Sequence, residues 1–250
     1  MRAIDLDRHA RQILLKEIGG PGQMKLGAAR AVLIGAGGLG APAALYLAAA
    51  GIGALRIVDP DTVSLDNLQR QVLFRTADVG RPKVEAARGA LLALDPAVTI
   101  EPVCERAEPG NLPALLDGAD IVLDGCDDFA TRFAVNDAAI AARVPLVSGA
   151  VGRWDAQVAS FAPHTGPHAP CYRCLVPEIP PEAESCAVTG IAGAITGIAG
   201  TLMALEAIKL ITGAGAPLIG RVQIVDGLSG ALRTVKLNPD PACPACGPTR

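Results

Sequence analysis

Gly35-Ala36-Gly37-Gly38-Leu39-Gly40 follows a short apolar run and opens a helical pattern, the context in which a G-x-G-x-x-G turn cradles phosphate. Its four glycines, Gly35, Gly37, Gly38 and Gly40, let backbone come close to an anion at a helix N-terminus, where free N–H groups and the helix dipole attract it. Asp59 ends the next apolar run, at the spacing of an acid that holds a ribose hydroxyl. Turn and acid alone fit an NAD-dependent oxidoreductase, the commonest owner of this fingerprint.

The residues beyond Asp59 fit that alternative poorly. Asp61-Thr62-Val63-Ser64-Leu65-Asp66-Asn67-Leu68-Gln69-Arg70-Gln71 places amides and a guanidinium just past the expected sheet edge, and Lys83 stands at the mouth of the next helix. Arg70, through a fork of donors, and Lys83, as a point charge, are cations suited to a triphosphate. Each alone is equally well explained as a solvated loop residue or a helix-start lysine; their conjunction favours phosphate. Asp124-Gly125-Cys126-Asp127-Asp128 follows a further apolar run, at the carboxyl end of a strand where open α/β sheets bind ligands. Asp127 and Asp128 are hard oxygen donors suited to Mg2+ beside phosphates. Asp128 is equally suited to capping the following helix, leaving Asp127 to the metal.

Cys171-x-x-Cys174 and Cys243-x-x-Cys246 are two knuckles of a tetrahedral, all-thiolate zinc site. Four thiolates leave no open position for water, so the expected role is structural, with two disulfides or a redox pair as the alternatives. Cys186 stands before a long small-residue helix, where a thiol's pKa is lowered; a reactive role and a spectator role both remain open. Cys104 and Cys126 are expected to be buried and inert.

Elements that could position these groups are legible in the apolar pattern. Ala31–Ile34, Leu55–Val58, Ile121–Leu123 and Pro145–Ser148 read as buried parallel strands. Helical patterns at Ala41–Ala50, Val84–Leu94 and Thr131–Ala142 alternate with them, the second opened by Pro82. The first 150 residues therefore predict a Rossmann-like, doubly wound, mostly parallel α/β sheet. Ala156–Phe161, Val222–Val225 and Leu232–Leu237 predict an antiparallel extension. Ala187–Leu205 carries no charge and approaches a bilayer span in length, but its Gly and Ala content favours a buried helix that another helix can approach closely; Glu206 and Lys209 are expected to mark its exit to solvent.

A length of 250 residues suits one large domain with a substantial core. The net charge of -3 comes without a basic block, which argues against nucleic acid as partner. The N-terminus mixes charges with no apolar stretch of a secretory signal, giving an expectation of a cytoplasmic protein without membrane attachment. With only three histidines, none near the glycine turn, Arg70 or Asp127, chemistry that relies on a histidine base is not expected.

Arg8-His9-Ala10-Arg11-Gln12, the glycine turn, the Asp61–Gln71 segment, Lys83 and Asp127 together resemble the adenylating family of the ThiF, MoeB and HesA type, which includes the catalytic part of ubiquitin-activating enzymes. The resemblance covers nearly the whole chain. It implies a single adenylation domain: an N-terminal helical segment (1–30), a nucleotide-binding core (31–150) and a carrier-docking, zinc and crossover-loop part (151–250). It also implies ATP-dependent adenylation of the C-terminal Gly-Gly carboxylate of a ubiquitin-like sulfur carrier, of the molybdopterin-synthase small-subunit or thiamine type. The glycines, Asp59, Asp66, Asn67, Arg70, Lys83, Asp127 and Asp128 would then surround ATP and Mg2+. Arg11 would reach into the partner's site of a homodimer, and Cys186 aligns with a cysteine that in some relatives links covalently to the carrier. The sulfur donor would be a separate protein. Cys126 and Asp128 depart from the Thr and Asn that often flank the metal-binding Asp in this family.

Overall fold

The computed structural model describes residues 5–179 and 190–247. An eight-stranded sheet runs through it in the order β3-β2-β1-β4-β5-β6-β7-β8. The strands are β1 (Arg30–Ile34), β2 (Ala54–Val58), β3 (Thr99–Val103), β4 (Ile121–Asp124), β5 (Leu146–Val151), β6 (Asp155–Phe161), β7 (Arg221–Asp226) and β8 (Ala231–Lys236). β1 to β5 pair in parallel, and β6 to β8 add on antiparallel. Helices among the described residues are α1 (Leu6–Ile13), α2 (Gly19–Ala28), α3 (Gly40–Ala49), α4 (Lys83–Leu94), α5 (Leu112–Leu115), α6 (Phe129–Ala142), α7 (Tyr172–Leu175) and α8 (Gly193–Thr212).

Alternation along the buried strands separates two cores. Ala31, Leu33, Leu55 and Ile57 join the α3, α4 and α8 side, whereas Val32, Ile34, Val58 and Val122 join the α5, α6 and α7 side. The chain moves outward from β1 to β3 and returns to β4, so strand order reverses between β1 and β4, where α/β sheets open a ligand crevice.

Three expectations need correction. β3 was not expected, because it is an edge strand with a half-exposed pattern and Pro102 inside it, which the apolar-run criterion cannot detect. Cys104, just past that edge, is exposed rather than buried. Glu206 does not mark an exit to solvent: it is buried and accepts from Ser160 Oγ at 3.0 Å and Leu218 N at 2.6 Å, because the chain after α8 folds back over it.

By length and composition α8 could cross a membrane, yet it packs on α3, β5 and β6. Its small residues serve this contact. A Cβ at Gly200 would lie 2.3 Å from Leu39 O and 2.5 Å from Pro42 Cγ, so only glycine allows the helices to meet this closely.

Candidate nucleotide site and four-cysteine cluster

The Gly35–Gly40 turn links β1 to α3 at the switch point. Gly35 has φ +91°, and a Cβ there would lie 3.0 Å from Gly125 O, so the turns after β1 and β4 touch. Gly40 is more constrained still: its Cβ would stand 1.9 Å from Gly35 O. α3 starts without a side-chain cap, so its first N–H groups lie ready for an anion.

Asp59, at the end of β2, fixes this turn from behind. Its Oδ2 accepts from Ala36 N at 2.7 Å and its Oδ1 from Asp61 N at 2.9 Å. Burial pushes its pKa up, while Lys83 and the two backbone N–H groups pull the other way. An ionised carboxylate offers about four acceptor positions, and these two bonds leave room for a hydroxyl. Lys83, the first residue of α4, is buried between two acids, with Nζ 2.8 Å from Asp61 Oδ2 and 3.9 Å from Asp59 Oδ1. An ammonium held there lies beside the turn and balances the charge of a buried acid.

The Asp61–Gln71 segment wraps the crevice through a short 3-10 turn at Leu65–Asn67. Asn67 O accepts from Arg70 N and Gln71 N. Arg70 lies against the turn, its Cγ 3.4 Å from where a Gly38 Cβ would be, and its Nη1 donates to Asp66 O at 3.1 Å. Asp66 is exposed, and the hydroxyl of Ser64 holds its carboxyl below the usual range. Behind Gly38 stands Thr196 of α8, with Cγ2 3.1 Å from the same Cβ position.

Asp127 is exposed on the loop after β4, and Asp128 caps α6 by accepting from Thr131 N at 2.8 Å. Sequence reasoning missed what holds this loop. Arg132, buried on α6, donates to Cys126 O, to Ser148 Oγ at 3.2 Å and to Asp124 Oδ2 at 3.4 Å. Polar residues inside the apolar runs Ile121–Asp124 and Leu146–Val151 were the available signal. Burial and the adjacent Asp124 push the Cys126 thiol up, which makes it unreactive. Arg132→Met leaves Asp124 buried and uncompensated, and chemical denaturation is expected to show a loss of about 3–5 kcal/mol.

Arg11 is not brought to this site within its own chain. It is exposed on α1, whose His9 packs against Gly51 at the far end of α3, so α3's length of about 15 Å separates them. Cys186 lies outside the described residues.

Cys171, Cys174, Cys243 and Cys246 meet with all four Sγ atoms within 4.8 Å of one another. Sγ pairs at 3.5 Å, 3.5 Å and 4.0 Å compare with about 3.8 Å for sulfurs 2.3 Å from a tetrahedral zinc. Burial and the neighbouring thiols push Cys171 up, and burial and sulfur contacts push Cys246 up to about 12. A bound divalent cation reverses that tendency, so the cluster fits zinc. Asn136 of α6 ties the first knuckle in place by accepting from Tyr172 N at 2.9 Å.

A doubly wound sheet whose switch point carries a glycine turn, a buried acid and two cations defines a nucleotide-binding α/β protein. More narrowly, the chain belongs to the ThiF family, whose model matches residues 9–245. It is 44% identical over 247 residues to the sulfur carrier protein adenylyltransferase of Thermus thermophilus, covering 97% of this chain and 91% of that one. It is 42% identical over 240 residues to the molybdopterin-synthase adenylyltransferase of Escherichia coli, covering 96% of each. The SAMP-activating enzyme E1 of Haloferax volcanii is also 42% identical, over 98% of this chain and 90% of its own length. Among solved structures, Escherichia coli MccB with ATP superposes with a TM-score of 0.80 at 25% identity, covering 96% of this chain and 74% of that one. Two of these relatives are named as adenylyltransferases, and none of the four is named as an oxidoreductase.

Proposed function

We propose that this protein adenylates the C-terminal Gly-Gly carboxylate of a ubiquitin-like sulfur carrier with ATP, releasing pyrophosphate. The observation that carries this reading is the glycine turn at the switch point with Arg70 packed against Gly38 and Lys83 set beside Asp59, the acid that holds the turn, two cations suited to a triphosphate. The names of the T. thermophilus and E. coli relatives support the carrier as substrate.

A terminal carboxylate with a pKa of about 3.5 is ionised at neutral pH and attacks without a general base. Its oxygen forms a bond to the α-phosphorus as the bond to the departing pyrophosphate breaks. The protein's work is alignment and charge stabilisation. Asp59 orients the ribose, Asn67, Asp66 and the glycines border the phosphates, and Arg70 and Lys83 offset charge on the leaving group. Mg2+, which Asp127 would hold with Asp128 nearby, supplies further neutralisation of phosphate charge. Zinc at the four cysteines clips the C-terminus to the Cys171 knuckle. By its alignment with a linking cysteine of some relatives, Cys186 is the residue we propose for a covalent link with the carrier. The cytoplasm is the compartment in which four thiolates of this spacing hold metal rather than form disulfides.

We infer a homodimer in which Arg11 completes the partner's site. Leu6, Leu14 and Leu15 flank it as exposed apolar residues, which suits a covered face, and Arg11 lies too far from its own turn to serve it. An equal mixture of Arg11→Ala and Asp127→Ala chains should restore about a quarter of normal activity through one intact hybrid site per mixed dimer. Inactive mixtures after demonstrated subunit exchange would remove the shared site. The adenylation itself is tested by incubating protein, ATP and carrier and weighing the carrier by mass spectrometry: an AMP-bearing carrier is expected with wild type and none with Lys83→Ala.

A further inference from the structure

Gln71 is a buried polar residue at the crevice, 3% exposed, whose side-chain oxygen Oε1 is shut away from solvent with no hydrogen-bond partner among the described residues. Its Nε2 faces the glycine turn, 3.8 Å from the position a Gly37 Cβ would take. The backbone around it is rigid: Gln71 N donates to Asn67 O at 2.9 Å, and Phe74 N donates to Gln71 O at 3.1 Å. The next core residues, Leu73 and Phe74, are buried and apolar.

Buried amides normally satisfy their oxygen, and an apolar side chain of the same size would fill this place at less cost. What an apolar side chain could not supply is a donor over Gly37. We propose that Gln71 is a further nucleotide-binding residue, its Nε2 donating to a phosphate oxygen of ATP seated on the Gly37 turn. The inference rests on the adenylation reading and adds a neutral donor to the cationic pair of Arg70 and Lys83. Phosphate also explains the amide's orientation, since the opposite one would set a carbonyl oxygen against an anion.

The test uses the full chain and two variants, Gln71→Leu and Gln71→Glu, with ATP affinity read by calorimetry and stability by thermal unfolding. Gln71→Leu should unfold at or above the wild-type temperature, because the orphaned oxygen is gone, while binding ATP about tenfold more weakly. Gln71→Glu should bind ATP more weakly again, since a carboxylate beside phosphate repels it. Unchanged ATP affinity in either variant overturns the proposal. So does a Gln71→Leu protein that loses stability and affinity together, which makes the residue structural. Failure of the wild-type chain to bind ATP would instead overturn the adenylation reading itself, and this proposal with it.

Discussion

Gly40→Ala should weaken nucleotide binding by about five- to 150-fold while Gly37→Ala leaves the protein folded and stable. The two glycines belong to one turn and differ in what a methyl group would meet. At Gly40 the new Cβ would stand 1.9 Å from Gly35 O, less than any non-bonded contact allows, so the start of α3 and the turn must separate. Backbone on both sides of the clash cannot rotate away as a side chain would. Overpacking of this kind costs about 1–3 kcal/mol, and all of that strain falls on the N–H groups that would hold phosphate. A loss of about fivefold in ATP affinity is expected at the mild end of that range and about 150-fold at the other. At Gly37 nothing lies nearer than Gln71 Nε2 at 3.8 Å, so stability should change by no more than about 0.5 kcal/mol. Calorimetric titration of ATP with thermal unfolding of both variants decides the matter. Wild-type ATP affinity in both variants would mean that the turn does not carry the phosphates.

Zinc removal should produce the largest change in stability. The cluster joins residues 72 positions apart, Cys171 to Cys243 and Cys174 to Cys246. Closing a loop of that length restrains the unfolded chain by about 4 kcal/mol on the chain-entropy account. For a chain of this size that corresponds to a fall of about 8–16 °C in the thermal midpoint. Cys243→Ser is expected to lose bound zinc and show that fall, and the segment after β8 should become the first site cut by protease. A metal-free protein with an unchanged midpoint would show that the four thiols hold nothing of structural weight.

The sequence made the parallel half of this fold legible because its strands are buried on both faces and so appear as unbroken apolar runs. β1, β2, β4 and β5 were all visible in this way. β3 was not, since an edge strand carrying Glu101 and Pro102 looks like a loop. Glycine spacing, Asp59, Lys83 and the cysteine knuckles were legible because each occupies a fixed offset from an element boundary. The partners of these residues were hidden. That Lys83 sits between Asp59 and Asp61, that Arg132 braces the Asp127 loop through Asp124 and Ser148, and that Glu206 is buried under the chain after α8 all depend on contacts across long sequence separations. Asp128 illustrates the limit well: a cap and a metal ligand look the same in sequence, and the structure assigns its side chain to Thr131 N.

The central claim is that ATP is activated against the terminal carboxylate of a carrier, and ATP–pyrophosphate exchange measures that step directly. With a ubiquitin-like sulfur carrier ending in Gly-Gly, labelled pyrophosphate should enter ATP, and removing the carrier's final glycine should stop it. Exchange that proceeds equally without any carrier, or none with any Gly-Gly carrier despite bound ATP, would contradict the account.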